Sequence, residues 1–492
     1  MLYATGKASI PAFDQAAAAW RAGRGDGRVV QRRKSGLIAL ACWLTISAPA
    51  ALRAQTLTQA LADAYNTNPQ VLAQRALLRA TDEQVPQALA NWRPTVSFTG
   101  QAGYAAASEQ TAHVAALTDR IHRETRPNAL TLTATQPIYS GGRTVAQVSQ
   151  AINLVESARA QTLATETTVF QAVAQAYLDV VRDQALVEVN RNNVAVLRKQ
   201  LEATQDRFRV GEVTRTDVAQ AESSLAQAVG QLVTAQGNLE NSRAEYVRAV
   251  GHRPGTLMLP RERPALPATL EEAVSLAGNN NFNVVSATFT ELAARDNIDV
   301  VRGQLLPQIS VIGILSRQRD QSLNFKNDLV NSAQITAQLT MPLYEAGSIY
   351  SQTRQVEQTV GQRRSQVDDA RRSAVQTATT SWSTLQAARA SISSFASAVR
   401  AAQIALEGTQ QEALVGTRTV LDVLIQNQQL LTTQSQLITA EHDAALAEFN
   451  VAAATGRLIA ADLKLPVKLY DMGQHYKQVK DKWIGFRGGL SQ

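Results

Sequence analysis

The residues that could carry chemistry are scattered along this chain. Its five histidines, at positions 113, 122, 252, 442 and 475, show no metal-ligand spacing. The single cysteine, Cys42, allows no internal disulfide. Gly23-Arg-Gly-Asp-Gly27 is glycine-rich but is not a phosphate loop, and no Ser-His-Asp, zinc or nucleotide pattern is evident. The sequence therefore argues against an enzyme and implies no cofactor and no metal. What recurs instead is an acid placed after a glycine turn. Gly211 is followed by Thr216-Asp217, and Gly416 by Thr419 and Asp422. A glycine suits the left-handed residue that ends many helices. An aspartate at the start of the next helix accepts free backbone amides and complements the dipole. Capping alone could account for both acids, so any further role depends on what surrounds them.

The elements that position these turns are unusually long. Arg143 to Arg209 contains no proline or glycine, and apolar residues recur at steps of three and four: Val145, Val148, Ile152, Val155, then Phe170, Val173, Tyr177, Val180, then Val194, Leu197, Leu201, Phe208. One unbroken helix there would extend about 100 Å, far beyond an average globular helix, and needs equally long partners. Aromatic residues make up only 5% of the 492, which fits long helices packed through small residues rather than a large globular core. A mean hydropathy of −0.16 argues against a polytopic helical membrane protein.

The net charge of +7 is unevenly placed. Residues 1–54 carry eight Lys/Arg and two Asp/Glu, so the remainder is close to neutral and no nucleic-acid partner is implied. Arg32-Arg33-Lys34, the apolar run Gly36 to Ser47 and the small residues up to Leu52-Arg53-Ala54 read as an export signal, residues 1–54, removed on maturation.

Beyond it the chain is duplicated. Thr56-Leu57 and Pro94 align with Thr269-Leu270 and Pro307 at one constant offset. Pro137, Gly142, Gly211, Asp217 and Gly251 align with Pro342, Gly347, Gly416, Asp422 and Gly456 at a second. The length difference falls wholly between two strand-like stretches. Repeat 1, residues 55–253, reads as a helix over Leu57 to Asn91, a β-hairpin over 95–136 with a polar loop at 108–128, a long helix over 143–209 and a return helix over 217–250. A linker spans 254–268. Repeat 2, residues 269–461, reads as a helix over 270–305, a hairpin over 308–341 with a loop at 317–332, a long helix over 348–414 and a return helix over 419–455. Residues 462–492 form a basic tail, read as a solvated, partly disordered extension around the helical tube rather than as a binder of anionic lipid.

The strand stretches alternate Thr or Gln with Leu, Ile, Val or Phe, and they have the length that crosses a bilayer when tilted. Four strands cannot close a barrel, and in lipid an open edge is not tolerated. Three chains supply twelve strands, enough for an aqueous channel. The expected fold is thus an α+β membrane protein: a long antiparallel α-helical barrel continuous with a 12-stranded transmembrane β-barrel formed by a homotrimer. Pro94, Pro137, Pro307 and Pro342 would mark the strand–helix joints, because proline ends helices and cannot donate to a ladder. A soluble coiled-coil rod, acting as a non-channel periplasmic adaptor or scaffold, is the alternative.

Leu414-Val-Gly-Thr-Arg-Thr-Val-Leu-Asp-Val-Leu424, followed by Gln426-Asn-Gln, closely resembles the helical-turn signature of the TolC family of outer-membrane efflux and secretion channels. Arg209-Val-Gly-Glu-Val-Thr-Arg-Thr-Asp-Val-Ala-Gln-Ala221 is its first-repeat counterpart, and Gln136-Pro-Ile-Tyr-Ser-Gly-Gly-Arg143 also matches. The ending, Leu465-Pro through Tyr470-Asp and His475-Tyr to Asp481-Lys-Trp483, resembles the subgroup paired with type I protein secretion. The resemblance implies a Gram-negative outer membrane location with a tunnel through the periplasm. It also implies a periplasmic adaptor and an inner-membrane ABC transporter or proton-driven pump as partners. It places Gly211 and Gly416 at the periplasmic tip, Asp422 in an acidic ring at the entrance, and Asp217 with Arg418 in a latch that holds the tip closed. Two positions depart from the family pattern: a second ring aspartate falls on Ile425, and a latch tyrosine falls on Ala413.

Overall fold

The computed structural model describes residues 55–112, 118–260, 262–320 and 328–486. The expected signal segment 1–54, with Cys42 and Gly23–Gly27, lies outside the described residues, as does His113. The first half comprises α1 (Leu57–Thr67), α2 (Pro69–Asp82), α3 (Gln84–Ala90), β1 (Thr95–Ala102), β2 (Ala105–Ala112), β3 (Thr118–Thr125), β4 (Asn128–Ser140), α4 (Arg143–Arg209) and α5 (Arg215–Val250). The second comprises α6 (Leu270–Asn280), α7 (Phe282–Arg302), a short 3-10 turn (Gly303–Leu305), β5 (Gln308–Arg319), β6 (Leu329–Thr340), α8 (Ser348–Leu414) and α9 (Val420–Ala454). A single turn of helix, α10 (Gln474–Val479), lies in the C-terminal segment.

The helices read as continuous over 57–91 and 270–305 are broken, and at equivalent asparagines. Asn68 is extended (ψ 124°), and its side chain accepts the Gln70 amide at 2.9 Å. Asn281 has ψ 126° and accepts the Asn283 amide at 3.0 Å. Each Nδ2 then donates to a carbonyl at the end of its own repeat's return helix, Asn68 to Ala249 (3.0 Å) and Asn281 to Ala454 (3.1 Å). Pro69 reinforces the first break; the second has no proline and depends on the asparagine alone.

The helices α4 and α8, 67 residues each, both begin at a left-handed glycine, Gly142 (φ 73°) and Gly347 (φ 77°). They are each about 100 Å long. Of the apolar seam on α4, Val155, Phe170, Val173, Tyr177, Val180, Val194 and Leu197 are buried, whereas Val145, Ile152 and Phe208 near its ends are exposed. The main core gathers where this seam meets α1, α5 and α9: Leu61, Tyr65, Phe170, Tyr177, Tyr246 and Phe449. Each such side chain contributes roughly 1.5–3 kcal/mol by leaving water. The Tyr177 hydroxyl donates to Met258 O at 2.8 Å, tying the linker to this core.

The sheet order is β1-β4-β5-β6, antiparallel throughout, so the two repeats pair with each other through β4 and β5. The register puts Val96, Phe98, Leu130, Leu132, Ala134, Ile309, Val311, Leu315, Ala337, Ile335 and Leu339 on one face. Thr95, Ser97, Thr99, Thr131, Thr133, Thr135, Ser310, Thr336 and Gln338 share the other, with Ile312 and Ile314 as apolar exceptions. On the apolar face Phe98, Leu132, Leu315, Ile335 and Leu339 all stand open, and the edge strands β1 and β6 are open on both faces. Met341, read with the second hairpin, falls just beyond β6.

The polar loop expected at 108–128 is instead largely a second antiparallel ribbon, β2 with β3, and the loop at 317–332 is shortened because β5 and β6 extend to Arg319 and from Leu329. The sequences of β2 and β3 carry no apolar alternation, and their pairing is made by backbone, which sequence periodicity does not register.

The C-terminal segment is docked rather than a solvated extension. Leu458 and Leu465 enter the core. The Tyr470 amide donates to the Tyr65 hydroxyl (2.9 Å), and the Arg75 guanidinium lies over both rings. His475 Nδ1 stands 3.1 Å from Asp82 Oδ2, and Val479 is buried.

Candidate functional site: the tip turns and the strand–helix joints

Both tip turns are built alike. Helix α4 runs out at Val210, and Gly211 (φ 84°) reverses the chain; the Glu212 amide donates to Arg207 O and the Gly211 amide to Phe208 O, both at 3.0 Å. At the end of α8, Gly416 (φ 83°) does the same, with Thr417 N to Glu412 O at 3.0 Å. This is the double hydrogen bond that closes a helix on a left-handed glycine. The next helix starts with a reciprocal cap. Thr214, rather than Thr216, is the capping residue of α5: Asp217 N donates to Thr214 Oγ1 (3.3 Å), and Thr214 N donates to Asp217 Oδ2 (2.8 Å). Thr419 and Asp422 repeat this at the start of α9, at 3.2 and 3.0 Å. The Thr214 hydroxyl and amide hold the Asp217 carboxyl below the usual carboxylate range, and the Thr419 amide and hydroxyl do the same for Asp422. Both acids are therefore charged at neutral pH.

Within the chain Asp217 and Arg418 are not brought together. Arg418 Nε pairs with Glu412 Oε2 at 3.0 Å, across its own turn. The first turn carries a reversed counterpart, Arg207 Nε to Glu212 Oε2 at 2.8 Å. Exposed pairs of this kind contribute about 0–1 kcal/mol each. Beneath the turns, Val194, Leu197, Ala228, Val420 and Leu424 pack together, and Asn427 Nδ2 donates to Asn193 Oδ1 (2.6 Å), so the hairpins of the two repeats are joined close to the tip. Ala413 is buried against Val423 and Leu406, while Ile425 is exposed.

Sequence reasoning missed a charged cluster higher on the same hairpins. His442 on α9 is buried, with Nε2 3.0 Å from Asp179 Oδ1 on α4 and Nδ1 2.9 Å from Asp443 Oδ1. Arg182 pairs with Asp179 (2.7 Å) and Asp183 (2.8 Å). Nothing in the local sequence could have signalled it, because the partners lie in different repeats. Beside it, the α4/α5 and α8/α9 hairpins enclose a groove of about 990 Å³ lined mainly by amides and hydroxyls, among them Asn190, Gln231, Asn238, Gln428, Ser435 and Thr439. Among the described residues there is no grouping of three or more His, Cys, Asp or Glu able to hold a metal ion.

At the other end of the long helices stand the prolines. Pro94 separates α3 from β1, Pro307 follows the 3-10 turn, and Pro342 follows β6. Pro137 lies inside β4, where the register shifts between Pro137 and Tyr139; β1 has already ended opposite Thr135, so its missing amide costs no bond on that side. Gly141 (φ 64°) and Gly303 meet back to back there: a Cβ on Gly303 would stand 2.8 Å from Gly141 O. Among the described residues no helix is long and apolar enough to cross a membrane.

A duplicated pair of long helical hairpins, carried on a four-stranded sheet with one apolar face, is the architecture of an outer-membrane channel. The family model for outer membrane efflux proteins matches residues 60–252 and 273–457, one match per repeat, and the chain belongs to that family. It is 34% identical to the outer membrane efflux protein BepC of Brucella suis over 90% of this chain and 94% of that protein. It is 28% identical to the outer membrane protein TolC of Vibrio cholerae over 77% and 86%. Among solved structures, the outer membrane protein VceC of Vibrio cholerae superposes with a TM-score of 0.69 at 20% identity, covering 81% of this chain and 96% of that one. The protein is thus an outer-membrane exit duct that extends into the periplasm, and the scaffold alternative is not favoured.

Proposed function

We propose that three copies of this chain assemble into one duct: a twelve-stranded barrel in the outer membrane, continuous with an α-helical tunnel whose periplasmic tip receives an adaptor and an energised inner-membrane pump. The observation that carries this reading is the sheet. Its four strands leave β1 and β6 with open edges among the described residues and gather their apolar side chains on one face. In hydrocarbon every backbone polar group needs a partner, so the edges require sister copies. A second asymmetry agrees: α4 buries 22 of its 67 residues, α8 only eight, which leaves α8 a flank for a neighbouring copy. The threonine face lines a wet lumen suited to passage rather than to chemistry, so the duct carries out no reaction. Cargo, protein or small molecule, is chosen by the pump.

In this assembly Asp422 forms a threefold acidic ring at the entrance, and Asp217 and Arg418 exchange their local partners for contacts between neighbouring copies that hold the tip shut. Three carboxylates on one axis repel one another and favour cations. The test is ion conductance in planar bilayers. Asp422→Asn keeps an oxygen for the Thr419 amide and removes only the charge, so cation selectivity and block by multivalent cations should fall while the trimer persists. Unchanged selectivity in Asp422→Asn would remove the ring, and absence of any conductance in the parent protein would remove the duct.

A further inference from the structure

The C-terminal segment passes a place its sequence does not announce. Arg93, two residues before β1, donates from Nη1 to Lys482 O at 2.7 Å, and its guanidinium stacks over the Trp483 ring at 4.9 Å. The neighbouring Trp92 carbonyl accepts from Gln136 Nε2 at 2.9 Å, so this contact sits level with the end of β4 where strands become helices. Trp92, Ile138 and Tyr139 are exposed at that level, and the segment adds Trp483, Ile484 and Phe486, also exposed. Lys477, Lys480 and Lys482 lie just before them, with Asp481 the one opposing acid of that stretch.

We propose that residues 477–486 are an interfacial anchor, seated on anionic phospholipid headgroups of the periplasmic leaflet, that fixes how deep the barrel sits. The inference rests on the outer-membrane reading of the sheet. Two observations select lipid as the occupant. The patch includes Tyr139, which pairs with Ile309 on the apolar face of the strands, and it has the composition of a membrane interface: tryptophan and other apolar side chains beside lysines. The docked part of the segment, from Tyr470 to Val479, holds the anchor at a fixed distance from α2, so it does not act as a loose tail.

The test uses the mature full chain in liposomes with Trp92→Phe, which leaves Trp382 on α8 and Trp483 as reporters. Phospholipids brominated near the headgroup should quench Trp483, and the quenching should vanish in Trp92→Phe/Trp483→Phe, where Trp382 alone remains. Quenching should be stronger in phosphatidylglycerol than in pure phosphatidylcholine vesicles, and Lys477→Gln/Lys480→Gln/Lys482→Gln should abolish that difference. Unquenched Trp483 in vesicles whose channels conduct overturns the anchor alone; vesicles that neither conduct nor quench overturn the membrane reading with it. A photoreactive residue at Ile484 that captures a protein in the cell envelope instead of lipid also overturns the proposal.

Discussion

Replacing His442 with leucine tests how the two repeats are locked together. The imidazole is buried between Asp179 on α4 and Asp443 beside it on α9, at 3.0 and 2.9 Å. Asp183 and Arg182 complete the set of charges that face it. Three carboxylates thus meet one guanidinium, and a protonated imidazole is the missing counter-charge. Burial alone would push the His442 pKa down; the close Asp179 carboxylate and the hydrogen bond to Asp443 outweigh it and leave the pKa above the ordinary imidazole value. A raised histidine stabilises the fold fully below about pH 6.5, its unfolded value, and loses that contribution as pH rises through the folded value. For Asp179, burial pushes the pKa up, but the hydrogen bond from His442 and the Arg182 charge hold it lowered. Its contribution is therefore present above its unfolded value of about 3.9 and fades as the medium is acidified. The clamp is strongest between these limits. Removing one partner of a buried ion pair costs ~3–5 kcal/mol, but Asp179 keeps Arg182, so about 2 kcal/mol per chain is expected at pH 6. The measure is the urea midpoint of detergent-solubilised protein at pH 6 and pH 9. His442→Leu should be clearly weaker at pH 6, and the gap from the parent should narrow at pH 9. Equal losses at both pH values would refute the charge argument, since packing alone does not titrate.

Gly303→Ala drives a Cβ against Gly141 O, a backbone atom with no room to move, and should destabilise the joint by about 1–3 kcal/mol, read as a lower heat-dissociation temperature. Ala346 holds φ 48°, so Ala346→Gly should stabilise by about 1 kcal/mol, read in the same experiment. Leu132→Arg places a charge on the apolar face opposite Phe98 and Leu315 and should cost ~2–4 kcal/mol near the bilayer midplane, seen as lost membrane-inserted protein; Thr133→Arg, on the other face, should insert and alter conductance.

The long helices are legible in sequence because nothing in Arg143–Arg209 interrupts them and because their ends are marked by glycines that adopt positive φ. The tip caps are nearly legible. Thr-x-x-Asp at 214–217 and 419–422 is the reciprocal capping pattern, although Thr216 is the more conspicuous neighbour. The breaks at Asn68 and Asn281 divide the two cases. Pro69 advertises the first, while the second depends on a hydrogen bond from Asn281 to Ala454, a partner local pattern cannot name. The β2–β3 ribbon escaped because its strands carry no period-two apolar signal. The clamp at His442 and the docking of Tyr470 and His475 escaped for the reason Asn281 did: their partners come from the far end of the chain.

The ribbon of β2 and β3 has no counterpart among the described residues of the second repeat. Its residues pair only with each other in a separate two-stranded sheet, so lengthening or shortening it shifts no register in the four-stranded wall and moves neither glycine turn at the tip. A change in this ribbon's length is therefore one the rest of the chain can absorb while the duct keeps its dimensions.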